Sequence, residues 1–249
     1  MLIKVINPNT TWSMTASIEQ CARAVAGPGT LVEAVSPAMG PESIESHYDE
    51  ALSVPGLLSE IASGEAAGVD GYVIACFGDP GLQAARELAS VPVVGIAEAA
   101  MRAASFFGRG FSVVTTLART RGRAWDLATQ YGMRSLCLNV RACDIGVLDL
   151  DSHPDARKTI VEECHRALDE DGADAIVLGC AGMAQLCAEI SAEVGAPVVD
   201  GVAAATLFVQ SLVTMKLTGR IDGELAAPDP KRYLGVMSPW SIGVMGRLA

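Results

Sequence analysis

Two stretches decide the fold: Gly68-Val-Asp-Gly-Tyr-Val-Ile-Ala-Cys76-Phe-Gly-Asp-Pro-Gly81 and Gly172-Ala-Asp-Ala-Ile-Val-Leu-Gly-Cys180-Ala-Gly-Met183. In each, a glycine stands eight residues before a cysteine, an apolar run leads up to that cysteine, and a second glycine follows two residues later. The likeness continues downstream, where Val91-Pro92-Val93-Val94-Gly95 answers Ala196-Pro197-Val198-Val199-Asp200. The cysteines are 104 residues apart, close to half of the 249-residue chain. A short apolar run closed by glycines is the pattern of a buried parallel strand. Two related half-chains are expected, each presenting one thiol at a strand end to a shared ligand.

Working outward, Leu2 to Ile6 reads as a strand rich in β-branched residues. Asn7-Pro8-Asn9-Thr10-Thr11 supplies turn and capping groups before a helix whose apolar face is Met14, Ile18, Cys21, Ala22 and Val25. A strand is expected from Thr30 to Val35, and then a loop from Ser36 to His47 long enough to serve as a lid or a specificity loop. A helical region from Asp49 to Ala67 is read as interrupted at Pro55-Gly56. Tyr72 to Ala75 forms a strand with Cys76 at its end, Asp79-Pro80 starts a helix, Val93-Val94 is a strand, and Glu98 to Phe107 is a helix.

The pattern then restarts. Val113-Val114-Thr115, in a strand from Phe111 to Thr116, lies 108 residues after Val5-Ile6-Asn7. Helix 118–131, strand 134–138, loop 140–152, helix 154–170, strand 175–178, helix 182–194, strand 198–199 and helix 201–217 complete the second half. A tail with Pro228, Pro230 and Pro239 is expected to pack along the surface. The fold class is α/β: two pseudo-symmetric open-sheet domains of mostly parallel strands flanked by helices. The expected division is residues 1–100 plus 206–249 for the first domain, with the C-terminal helix and tail, and 101–205 for the second. Open parallel sheets bind ligands beyond the carboxyl ends of their strands, where both cysteines, Asn7 and Thr115 fall.

Composition narrows the function. A formal charge of −11 and no basic arm argue against nucleic acid, whose phosphates need a basic stripe. The densest basic cluster, Arg119-Thr-Arg-Gly-Arg123, reads as a solvated helix face. No basic, apolar and small-residue succession at the N-terminus marks a secretory signal, and no apolar run approaches the roughly 20 residues that span a bilayer. Seven cysteines without a Cys-x-x-Cys pair fit a reduced, cytoplasmic setting. The three histidines form no metal-binding spacing, and neither a dinucleotide fingerprint nor a phosphate loop is present, so no metal and no cofactor is expected.

Cys76 and Cys180 each stand between an apolar strand and an expected helix start, where orphan N–H groups would stabilise a thiolate. One thiolate can take a proton from a carbon acid while a neutral thiol opposite returns a proton to the other face. Disulfide redox chemistry is the competing use of two thiols and would need the sulfurs within bonding distance. Cys21, Cys164 and Cys187 fall on apolar helix stripes and read as small core residues, as does Cys137 on its strand. Cys143 lies in a loop without an assigned role. Asp144, Asp149 and Asp151 read as loop solvation.

At these residues the chain resembles the aspartate/glutamate racemase superfamily, and more closely its hydantoin racemase branch. The marks are Ile6-Asn7-Pro8-Asn9-Thr10, Gly40-Pro41-Glu-Ser-Ile44, Cys76-Phe77-Gly78-Asp79-Pro80-Gly81, Val113-Val-Thr115-Thr116 and Gly179-Cys180-Ala181-Gly182-Met183. The resemblance implies cofactor-independent, two-thiol racemisation in a cleft between two pseudo-symmetric domains. Glutamate racemases resemble Cys-Asn-Thr and Cys-Thr-His at the two thiols, whereas here Phe77-Gly78 and Ala181-Gly182 follow them. Apolar Phe77 with bare backbone donors suits an uncharged cyclic amide. Cys76 and Cys180 are then the acid/base pair. The N–H groups of Phe77, Gly78, Ala181 and Gly182 would hold ring carbonyls, Asn7, Thr115 and Thr116 the ring edge, and Ile44 and Phe77 the C5 substituent.

The expected activity is racemisation of 5-monosubstituted hydantoins. Allantoin, itself a 5-substituted hydantoin, makes allantoin racemase the nearest alternative. A racemase-fold decarboxylase or isomerase and a non-catalytic ligand-binding protein are the further ones. The expected partners are a small cyclic amide and further copies of the chain, with no nucleic acid and no membrane.

Overall fold

The computed structural model describes residues 1–218 and 223–241. The first half runs β1 (Leu2–Ile6), α1 (Trp12–Val25), β2 (Leu31–Val35), α2 (His47–Ala67), β3 (Gly71–Ile74), α3 (Leu82–Leu88), β4 (Val93–Gly95) and α4 (Ile96–Ala104). The second runs β5 (Phe111–Thr115), α5 (Arg121–Gln130), β6 (Cys137–Ala142), α6 (Ala156–Asp169), β7 (Ala175–Gly179), α7 (Cys187–Val194), β8 (Val198–Val199) and α8 (Gly201–Thr214). Two four-stranded parallel sheets result, ordered β2-β1-β3-β4 and β6-β5-β7-β8, the same order stated twice. The internal repeat of the sequence is thus a repeat of topology, and the α/β two-sheet architecture is as expected.

The central strands β1, β3, β5 and β7 are buried almost throughout, which is why they read as continuous apolar runs. One large apolar core runs from Ile3, Ile61 and Tyr72 through α4 to Val113, Val177 and Val209. A second cluster around Val114, Ile160, Ile176 and Met183 fills the space under α6 and α7. Helix α8 packs on α1, α4 and β3, although it follows the second sheet in sequence. The 100/101 and 205/206 positions both fall inside helices, α4 and α8.

Several elements differ from the sequence expectation. Helix α2 runs unbroken through Pro55. An interior proline costs roughly 3 kcal/mol through one lost hydrogen bond and a ring clash, and tertiary packing offsets it here. A Cβ on Gly56 would lie 2.5 Å from the Met39 carbonyl, so glycine lets the 36–46 loop press against the helix. The tail does reach the surface here, where Trp240 Nε1 donates to the Pro55 carbonyl over 3.2 Å. His47 is the first residue of α2, after the Ser46 cap, rather than part of the loop.

Strand β6 lies a few residues later than 134–138, because Met133–Cys137 closes a turn through Leu136 N–H and Cys137 N–H to the Met133 carbonyl. Arg134, expected in the strand, stacks on Trp125 instead. Residues 140–142, expected in a loop, are therefore paired in β6, and Cys143 follows directly as a buried residue. No α-helix starts at either thiol. Asp79-Pro80-Gly81 forms a turn before α3, and a 3-10 segment, Ala181–Leu186, separates Cys180 from α7.

Candidate active site

The register of the two sheets builds the site. Ile6 pairs with Ile74 and Thr115 with Gly179, so Asn7 leaves one sheet beside Ala75, one residue before Cys76, and Thr116 and Cys180 leave the other side by side. Asn7, Cys76, Thr116 and Cys180 line a single cavity of about 210 Å³ between the two strand-end clusters. Ile44, Phe77, Gly78, Thr115 and Ala181 line it too. Gly182 does not: it sits behind Cys180, where a Cβ would lie 3.6 Å from the sulfur and 2.9 Å from Leu150 Cδ1.

Each strand-end polar group has a definite set of partners. Asn7 is buried, and its amide nitrogen donates to Asn9 Oδ1 (2.8 Å) and Thr15 Oγ1 (3.0 Å), which leaves only its oxygen unengaged on the cavity side. The Thr115 hydroxyl donates to the Gly179 carbonyl over 3.2 Å and meets Thr120 Oγ1 at 3.1 Å, so it ties β5 to β7. The Thr116 carbonyl accepts from Cys143 Sγ over 3.5 Å. That contact places a third, buried thiol just behind the cavity wall.

All seven cysteines are unpaired. Cys76 and Cys180 are half-buried, and burial pushes the Cys180 thiol up to about 11 against the pull of the Gly182 and Met183 N–H groups. Burial likewise raises Cys76 well above the ordinary thiol range, opposed by the Gly78 N–H and reinforced by Cys180, Glu50 and Asp79. The expected thiolate-stabilising helix termini are absent, and individual peptide N–H groups take their place. Gly78 and Gly182 donors therefore face sulfur rather than an open ring-carbonyl position. Both shifts favour the neutral thiol over the thiolate. A neutral thiol is the form that returns a proton, whereas the sulfur that takes the C5 proton must first release its own to solvent.

Sequence reasoning missed the charged rim. Arg119 and Arg123, read as a solvated face, both line the cavity, as do Glu45 and Glu50. Arg123 Nε donates to Glu50 Oε1 (3.1 Å) and its Nη2 to the Gly78 carbonyl (2.7 Å), so it joins α5 to the turn that carries Cys76. Glu45 Oε1 accepts from the Val147 N–H over 2.7 Å, a second bond across the cleft. The spacing of Arg119 and Arg123 on one face of a helix following a strand end was the signal available. His47 also lines the rim, 3.8 Å from Glu50. Among the described residues no group of three or more His, Cys, Asp or Glu could hold a metal ion, and no helix is long and apolar enough to cross a membrane.

The chain's likeness to known proteins bears directly on this cavity. The family model for Asp/Glu/Hydantoin racemase matches residues 3–209, which include both thiols. The chain belongs to the Asp/Glu/hydantoin racemase family. A hydantoin racemase of Pseudomonas sp. (strain NS671) is 48% identical over 239 residues, 95% of this chain and 96% of the relative. A hydantoin racemase of Rhizobium meliloti is 50% identical over 214 residues, 86% of this chain and 89% of the relative. Among solved structures, an allantoin racemase from Klebsiella pneumoniae superposes with a TM-score of 0.93 at 49% identity, covering 96% of this chain and 98% of the other.

Proposed function

We propose that the protein is a cofactor-independent racemase of 5-monosubstituted hydantoins. The observation that carries the reading is that Cys76 and Cys180, from equivalent strand ends of two sheets, line one cavity. One sulfur, as the thiolate, takes the C5 proton and becomes a thiol while the C–H electron pair moves into the ring carbonyl, giving an enolate. The other sulfur delivers its proton to the opposite face of C5. A hydantoin C–H is activated by its neighbouring carbonyl, which suits thiols whose ionised form is strongly disfavoured at rest. The cavity's lining of Ile44 and Phe77 beside the thiols supports an uncharged ring with an apolar or compact substituent.

The hydantoin racemases at 48% and 50% identity support this substrate class. The allantoin racemase structure, at 49% identity, favours allantoin as a second reading. Loss of optical rotation from enantiopure 5-benzylhydantoin, 5-isopropylhydantoin and allantoin, compared side by side, tests both. Decay with the alkyl and aryl compounds supports the first reading, decay with allantoin alone the second, and binding without decay refutes both.

The division into residues 1–100 plus 206–249 and 101–205 is part of the same proposal, supported by the packing of α8 on α1 and α4. So are a cytoplasmic setting, consistent with seven unpaired cysteines, and self-association, for which exposed Phe106 and Met215 offer apolar surface. Sedimentation velocity tests the last.

A further inference from the structure

The two thiols are held by different means. Behind the Cys180 turn stand apolar groups: a Cβ on Gly182 would meet Leu150 Cδ1 at 2.9 Å and Met14 Cε at 3.8 Å. Behind the Cys76 turn stands an ion pair. Arg123 Nη2 donates to the Gly78 carbonyl over 2.7 Å and Nε to Glu50 Oε1 over 3.1 Å. The gripped peptide, Gly78–Asp79, closes the turn itself, because the Asp79 N–H donates to the Cys76 carbonyl over 2.9 Å. The adjacent peptide carries the Gly78 N–H that faces the Cys76 sulfur.

We propose that Arg123, oriented by Glu50, is a positioning residue for Cys76 and not for Cys180. The inference rests on the two-thiol reading above and adds an asymmetry to it. Arg123 and Glu50 are largely shielded, with side chains 28% and 18% exposed, so the pair is screened less than a surface ion pair. Arg123 lies on α5, the counterpart in the second half of α1, which supplies Met14 behind Cys180. The second half thus holds the first half's Cys76 turn with a charged fork, and the first half backs the second half's Cys180 turn with the Met14 methyl. A guanidinium fork fixes a carbonyl and a carboxylate together, which an ammonium cannot do.

The experiment uses Arg123→Gln, Arg123→Lys and Glu50→Gln in the full chain, with 5-benzylhydantoin of each hand in D2O. Cys76→Ser and Cys180→Ser first establish which enantiomer gives up its C5 proton to which sulfur. Proton NMR then follows deuterium entering C5 with retention: the C–H bond breaks, S–H forms and exchanges with solvent, and deuterium returns to the same face. For Arg123→Gln, exchange of the enantiomer facing Cys76 should fall about 10- to 100-fold, the scale of a small misplacement of a reacting group, and the other enantiomer should keep its rate within about threefold. Racemisation should fall in kcat more than it changes KM. Arg123→Lys should recover only part of the loss.

A second readout needs no turnover. The alkylation rate of Cys76, read by mass spectrometry against pH, should drop in Arg123→Gln while that of Cys180 holds. Should the glutamine variant not fold, the lysine variant and Glu50→Gln carry the same comparison. Equal losses for both enantiomers, or no loss for either, overturn the proposal while the racemase reading stands. A wild-type protein that exchanges neither enantiomer overturns the racemase reading and this proposal with it.

Discussion

The Tyr131 hydroxyl, just past the end of α5, donates to Asp79 Oδ2 over 2.7 Å, which joins the second half to the turn that follows Cys76. Asp79 is 3% exposed and sits at φ +43°, a conformation a non-glycine side chain adopts at a cost. Its carboxylate repays that cost by accepting from the Ala97 and Glu98 N–H groups at the start of α4, over 3.0 and 2.9 Å. With Arg123 at Gly78, α5 therefore holds the Cys76 turn at two points.

Tyr131→Phe removes one hydrogen bond to a buried carboxylate without opening a cavity. The expected loss is about 2 kcal/mol of stability, the range for hydrogen bonds to charged groups. Urea unfolding followed by circular dichroism checks it. A change within error would show that the Ala97 and Glu98 donors suffice for Asp79.

Asp79 also predicts a pH dependence of stability. Burial, opposed by Tyr131 and the two N–H groups, raises its carboxyl from 3.8 to about 6. Because the folded state binds this proton more tightly than the unfolded chain, the associated stabilisation is fully present below pH 3.8 and is lost as pH rises through about 6. The shift corresponds to about 3 kcal/mol. Asp79→Asn lacks the titration, so the stability of wild type relative to the variant should fall by that order between acid and neutral pH. A constant difference across the range would place the carboxyl in its ordinary range.

The thiols make the sharpest functional prediction. Cys76→Ser and Cys180→Ser should each lower racemisation by about a thousandfold or more, within the range of a lost general acid or base. Unfolding midpoints should barely move, since both sulfurs face a cavity and serine fills the same space. Each variant should still exchange the C5 proton of one enantiomer, and not the same one. Full racemisation in both variants would remove the two-thiol mechanism.

Much of this was legible in the sequence, and the reasons for the rest are physical. Parallel strands buried on both faces leave an unmistakable apolar run, so β1, β3, β5 and β7 and the thiols at their ends could be read directly. Edge strand β6 could not: Asn139 and Arg141 are polar because Asp171 receives both of them, over 2.9 and 2.6 Å, from the loop before β7. Pro55 breaks a helix only where nothing packs on it. Arg123 reads as solvent-facing until tertiary structure brings Gly78 and Glu50 to it. Proximity across a cleft leaves no mark on local spacing.

Ionisation of the thiols sets the pH dependence of the rate. Burial holds Cys180 near 11 and Cys76 higher still, so at neutral pH the reactive form, one thiolate facing one thiol, is scarce. The rate constant kcat/KM should climb roughly tenfold per pH unit between about pH 6.5 and 9, following loss of one proton from the pair. A flat profile measured by polarimetry would mean that the thiolate is already formed at neutral pH, against the burial of both sulfurs.

Gly78→Ala tests how closely the rim presses on the Cys76 turn. A Cβ at this position would stand 2.3 Å from Glu50 Oε1. Glu50 is flexible at that end, so the added methyl should displace the carboxylate and strip Arg123 of its second partner rather than unfold the chain. The expected cost in stability is about 1–2 kcal/mol, typical of modest overpacking, with a larger loss of racemisation. Adding Glu50→Ser to Gly78→Ala removes the clash without restoring the ion pair. Stability should therefore recover in the double variant while activity stays low, as measured by urea unfolding and polarimetry on the same samples. Recovery of both would reduce the Glu50–Arg123 pair to a packing element, and the turn carrying Cys76 would then owe its geometry to the Arg123 bond at Gly78 and to Asp79 and Tyr131.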